Sequence, residues 1–162
     1  ALLAAGGAAS YLCLPWWPYC VAPRQQAAPP AADPPADTLP CTAEAMFGHA
    51  ESAERLYREA LRCQGESAYG AALAGLERAL ELGYAPAATG LGRLYDPVDF
   101  QPGRVFDRPD FFQAAKYYRQ AAEMGDPEAA PHREALRLWL AEKAQGGDAM
   151  AKLALRDFWQ AD

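Results

Sequence analysis

Apolar positions recur at helical spacing from Thr42 to the C-terminus, with breaks at a series of glycines and prolines. Met46, Ala50, Ala53, Leu56, Tyr57, Ala60 and Leu61 form one stripe, which predicts a first helix over 43–63 with Thr42 as its N-cap and Gly65 as its stop. Leu73, Leu76, Leu80 and Leu82 predict a second over 67–82, capped by Ser67 and stopped by Gly83. A short third helix over 86–95 starts on Pro86 and turns Leu91, Leu94 and Tyr95 inward. The stretch 96–109 contains three prolines and a glycine and reads as a loop. Asp110 then caps a fourth helix over 110–124; a fifth follows over 131–145; Asp148 opens a sixth over 149–160.

Composition supports an all-α body. Alanine is the main filler, and runs of Val, Ile and Thr that would build strands are missing. Of 162 residues, 51% are apolar, enough for one core. The formal charge of −6 and the pI of about 4.9 argue against a nucleic-acid partner, whose phosphates reward clustered Lys and Arg.

Two segments precede the helical body of residues 41–162. Residues 1–21 carry no charged side chain, and Arg24 is the first charge. Pro15 and Pro18 shorten the helical part below the ~20 residues that a spanning helix needs. We read this segment as a membrane anchor, with Trp16, Trp17 and Tyr19 as an interfacial belt. The competing readings are the end of an export signal, which would leave a soluble exported regulator, and a surface that packs on a partner. Residues 22–40 hold six prolines and read as an extended tether.

Cys13, Cys20, Cys41 and Cys63 are the four cysteines, and their even number beside an apolar N-terminus suits an oxidising compartment; free buried thiols in a reducing one are the alternative. Cys13 with Cys20 would close a small loop over the two prolines, and Cys20 with Cys41 would staple the tether. Cys41 and Cys63 bracket the first helix, whose straight length of roughly 30 Å forbids a bridge unless the helix breaks near Gly48.

Four glycine stops align by what precedes them. Tyr117, Ala121 and Ala122 precede Gly125; Trp139 and Ala144 precede Gly147; Tyr57 precedes Gly65; Gly75 and Ala79 precede Gly83. An acid follows three stops, Glu66, Asp126 and Asp148, where it can satisfy amides of the next helix. Leu91-Gly92-Arg93-Leu94-Tyr95, followed by Asp110, Ala114, Tyr117, Tyr118, Ala121, Ala122, Gly125 and Ala129, resembles one repeat of the Sel-one-like family, a relative of the tetratricopeptide solenoids. Ala135, Trp139, Ala144 and Gly147 form a partial second match. The resemblance implies a short α-solenoid of antiparallel helix pairs and a scaffolding or adaptor role, often at a bacterial envelope. Gly83 and Gly125 lie 42 positions apart, longer than the family's period, and the excess falls in the 96–109 loop. Gly125 and Gly147 lie only 22 apart.

The expected activity is therefore non-catalytic, with no cofactor or metal. No phosphate loop, nucleophile elbow or HExxH appears. His49 and His132 are assigned surface or structural places, and Asp96, Asp99, Asp107 and Asp110 turn and capping roles; a metal-binding or hydrolytic domain is the remote alternative. Phe100, Val105, Phe106, Phe111 and Phe112 place bulky apolar groups in or beside the loop and are the candidate partner-binding residues, unless they tuck under the loop and cap the core. The expected partner is a protein, a subunit of a membrane complex, with the helical body on the periplasmic side of the inner membrane.

Overall fold

A computed structural model describes residues 38–48, 52–102 and 104–159. The anchor reading of 1–21, its belt of Trp16, Trp17 and Tyr19, the pairing of Cys13 with Cys20, and nearly all of the tether lie outside the described residues. Within them the chain is all-helical: α1 Ala43–Gly48, α2 Ala53–Gly65, α3 Tyr69–Glu81, α4 Ala85–Tyr95, α5 Phe111–Glu123, α6 Ala129–Gln145 and α7 Ala149–Trp159. Helices adjacent in sequence pack as pairs, α2 with α3, α4 with α5 and α6 with α7, and α1 packs on α3. No described helix is long and apolar enough to cross a membrane.

Small side chains set this packing. Ala60, Ala72, Ala79, Ala87, Ala88, Ala114, Ala115, Ala121, Ala129, Ala151 and Ala154 are all fully buried. They let helix axes approach closely, and Leu56, Leu76, Leu91, Tyr118, Leu136 and Leu140 fill the spaces between them. One core cluster joins α1 to α4, a second joins α5 to α7, and Ala88, Ala121 and Ala129 form a small third cluster with Leu80 against it.

The single helix expected over 43–63 is two. Thr42 caps the first, its Oγ1 accepting from the Ala45 amide at 3.2 Å. The second restarts on Ser52, whose Oγ accepts from the Arg55 amide at 3.3 Å. The break after Gly48 is the one a 41–63 bridge requires, and Cys41 and Cys63 are disulfide-bonded with their Cα atoms 5.5 Å apart. That bond removes the alternative pairing of Cys20 with Cys41. The Leu39 carbonyl accepts from the Arg62 guanidinium beside the bridge.

The four corners share one hydrogen-bond pattern. Tyr84 N donates to Ala79 O, Asp126 N to Ala121 O, Asp148 N to Lys143 O, and Ala68 N to Cys63 O. This closure places one residue per corner in the left-handed region: Gly83, Gly125, Gly147 and, at the first corner, Ser67 with φ +64°. The first stop therefore turns on Ser67 and not on Gly65, which is the last residue of α2. Ser67 caps nothing; Ala68 precedes α3 and makes no side-chain cap bond. Glu66 likewise does not reach the next helix and pairs back to Arg62 at 2.7 Å. Asp126 and Asp148 do reach it: Asp126 accepts from the Glu128 amide, and Asp148 from the amides of Met150 and Ala151.

Candidate partner-binding groove

The 96–109 loop is closed at its base, where the Asp110 amide donates to the Tyr95 carbonyl at 2.9 Å. A loop of this length with its ends joined is an Ω-loop. Asp96 fixes its first turn: one carboxylate oxygen accepts the Val98 amide at 2.9 Å, and the other accepts the Tyr118 hydroxyl at 2.8 Å. Asp110 fixes its exit by capping α5, accepting from the Phe112 and Gln113 amides. Midway, Phe106 stacks on Tyr95 at 4.3 Å, and Tyr95 stacks in turn on Tyr117 at 5.9 Å. Arg104 lies 5.8 Å from the Tyr69 ring centre, which carries the loop across to the start of α3.

So anchored, the loop borders a cavity of about 390 Å³ against α2, α4 and the start of α6. Tyr57, Leu61 and Gln64 face it from α2, Thr89 and Arg93 from α4, and His132 from α6. Phe100, Val105 and Phe106 line it from the loop. The fold thus brings together three of the five candidate partner residues. It takes Phe111 and Phe112 elsewhere: they open α5 and join the second core cluster, with Phe111 6.0 Å from Trp139 and Phe112 6.3 Å from Phe158.

Burial governs the electrostatics. It pushes the Asp96 carboxyl above the usual carboxylate range, against the opposing pull of the Val98 amide and the Tyr118 hydroxyl. Burial also raises Tyr118, with the Asp96 charge adding to the effect, so this phenol stays neutral and donating. Tyr57 and Tyr95 are raised by burial first and by the neighbouring phenols Tyr84 and Tyr117 second. Asp96 at the loop's base and Asp126 in the cavity wall are engaged in structure, while Asp99 and Glu128 also line the cavity. Both Asp96 oxygens are used, and Asp126 accepts the Thr89 hydroxyl on one oxygen and the Glu128 amide on the other. Among the described residues no three His, Cys, Asp or Glu side chains gather as a metal site would need.

Facing the cavity besides Asp126 is a mixture of rings, aliphatic groups, two guanidinium groups, the carboxylates of Asp99 and Glu128, and the amides of Gln64 and Gln101. A primary amide both donates and accepts, as an extended peptide backbone does, while rings and aliphatic groups receive side chains. Sequence pattern placed Tyr57 on an inward stripe and did not mark Gln64, Arg93 or Arg104 for a binding surface, because only the fold brings α2, α4 and the loop to one place. His132 is half-buried and stacks on Tyr118 at 5.5 Å, a neighbourhood that its helical spacing alone does not disclose. No family model, curated protein or solved structure matches the chain.

Proposed function

We propose that the chain is a non-catalytic scaffold or accessory subunit that holds a partner protein in the groove beside the 96–109 loop. The observation that carries this reading is the loop itself, tied at its base by Tyr95 and Asp110, pinned by Phe106, and bordering a cavity of mixed apolar, amide and charged lining. Packed helix pairs turned at corners of one hydrogen-bond pattern support an α-solenoid architecture, and the Leu91-to-Gly125 pattern supports kinship with the Sel-one-like repeats. The Cys41–Cys63 disulfide favours an oxidising compartment, in keeping with a periplasmic body anchored through 1–21 to a bacterial inner-membrane complex.

The test is purification of the tagged full chain from gently solubilised membranes, with identification of co-purifying subunits, beside the double variant Phe100→Ala/Val105→Ala. A subunit captured by the parent and lost from the variant supports the proposal. A chain that always runs alone as a water-soluble monomer overturns it. Deleting 1–21 tests the anchor, which fails if membrane association is unchanged.

A further inference from the structure

A second concavity, of about 500 Å³, lies between α3 and α5 and shares none of its lining with the loop groove. Leu91 of α4 is buried in it, Leu80 and Tyr117 flank it, and Phe47 at the end of α1 stands beside it with 51% of its surface exposed. One short helix, α1, packs on α3 and ends beside the depression at Phe47. Met46 of α1 is fully buried, and a Cβ built on Gly75 would come 3.2 Å from its sulfur. Met46 meets the opposite face of α3 from Glu77, Leu80 and Glu81, and the next residue, Phe47, is the one that borders the depression.

Its charge is one-sided along α3. Glu77 and Glu81 stand one turn apart, a repulsive spacing for like charges. Arg78 neutralises Glu81 at 2.8 Å. Among the described residues nothing forms an ion pair with half-buried Glu77, and its charge helps to raise the phenols of Tyr95 and Tyr117. The α5 side offers Lys116, already drawn over the Tyr117 ring at 5.7 Å. A depression of mixed lining, with Phe47, Leu80 and Tyr117 beside Glu77, Glu81 and Gln120 and one carboxylate unmatched, fits an aliphatic side chain flanked by Lys or Arg on an amphipathic helix.

We propose that the α3–α5 groove docks a basic amphipathic helix of a partner protein, at a site separate from the loop groove. The test uses the full chain and two fluorescein-labelled helical peptides of about five turns. One has leucine on one face and lysine on the other; its counterpart has glutamate in place of lysine. Anisotropy should show saturable binding of the lysine peptide and not of the glutamate peptide. Phe47→Ala should weaken binding about ten-fold, and Glu77→Gln about three-fold. Phe100→Ala, in the other groove, should leave the affinity unchanged. Failure of the lysine peptide to bind, equal binding of the acidic peptide, or indifference to both α3–α5 variants overturns the proposal. Loss on Phe100→Ala alone overturns it too, by placing the peptide beside the loop. Circular dichroism of each variant confirms that the helices persist.

Discussion

Gly92 leaves the space that the Tyr118 ring fills. A Cβ at Gly92 would stand 2.5 Å from Tyr118 Cε1 and 2.6 Å from Cδ1. The ring has no retreat, because its hydroxyl is bonded to Asp96 at 2.8 Å and His132 stacks on it at 5.5 Å. The pairing of α4 with α5 therefore depends on a missing methyl group. Gly92→Ala should destabilise the chain by about 1–3 kcal/mol through overpacking, despite the gain of up to ~1 kcal/mol that Gly→Ala brings in a helix interior. Gly90→Ala is the control: its Cβ would meet the end of the Leu76 side chain at 3.1 Å, and the Tyr57 ring only at an ordinary 3.7 Å. Urea denaturation of both variants checks this, and equal effects would contradict it.

Tyr118 also ties stability to pH through Asp96. Burial holds the Asp96 carboxyl above its ordinary value in the folded state. The folded chain therefore binds this proton more tightly than the unfolded chain does. The resulting stability is full below the ordinary carboxylate value of about 4 and is lost as pH rises through the raised folded value. Other carboxylates impose their own acid dependence, so the informative quantity is the difference between the parent and Asp96→Asn. That difference should favour the parent most at pH ~4 and shrink toward neutrality. A difference that is flat with pH would mean that Asp96 is not titrating in the folded chain.

The helices after residue 66 were legible because their ends are local chemistry. Pro86, Asp110 and Asp148 act at helix starts over short sequence distances, and Gly83, Gly125 and Gly147 adopt the left-handed conformation that glycine favours. The break after Gly48 was legible only as a condition on the disulfide, since an apolar stripe runs on past it. The groove was half legible. Phe100, Val105 and Phe106 are bulky groups in a loop, whereas Phe111 and Phe112 share that composition and go to the second core cluster. Telling them apart requires knowing where α6 and α7 stand, which is tertiary information.

The first corner offers a test of the αL assignment. Ser67 occupies with φ +64° the place that glycine holds at the other three corners. Ser67→Gly should relieve this and stabilise the chain by about 0.5–1 kcal/mol. Gly125→Ala, at φ +87°, should cost about 1–2 kcal/mol. Gly65→Ala should lack that penalty, because Gly65 is helical and a Cβ there meets nothing within 4 Å. A Gly65→Ala loss as large as that of Gly125→Ala would return the stop to Gly65.

The disulfide closes a segment with a sequence separation of 22. On the chain-entropy account its removal should cost about 3 kcal/mol. The loss should fall first on α1 and the segment at Leu39, which the bridge and Arg62 hold to the end of α2. The melting temperature should fall on reduction with dithiothreitol, while Cys41→Ser/Cys63→Ser should start low and show no such response. Reductant sensitivity that persists in the double variant would locate the redox-dependent stability elsewhere.

Phe106 separates the loop's anchoring from the stability of the helices. Its ring lies 4.3 Å from Tyr95 and is the loop's apolar attachment to the α4–α5 pair, while Asp96 and Asp110 hold the two ends. Removing the ring forfeits a stacked pair worth about 1 kcal/mol beyond its buried area. That is enough to raise the open population of the loop roughly five-fold. Phe106→Ala should therefore keep its helical circular dichroism and become more sensitive to trypsin at Arg104, which is exposed in the loop and followed by Val105. Capture of the partner should weaken with it, because Phe100 and Val105 ride on the same segment. Unchanged cleavage would show that the two loop ends suffice to hold it; increased cleavage with undiminished capture would take the loop out of the binding surface.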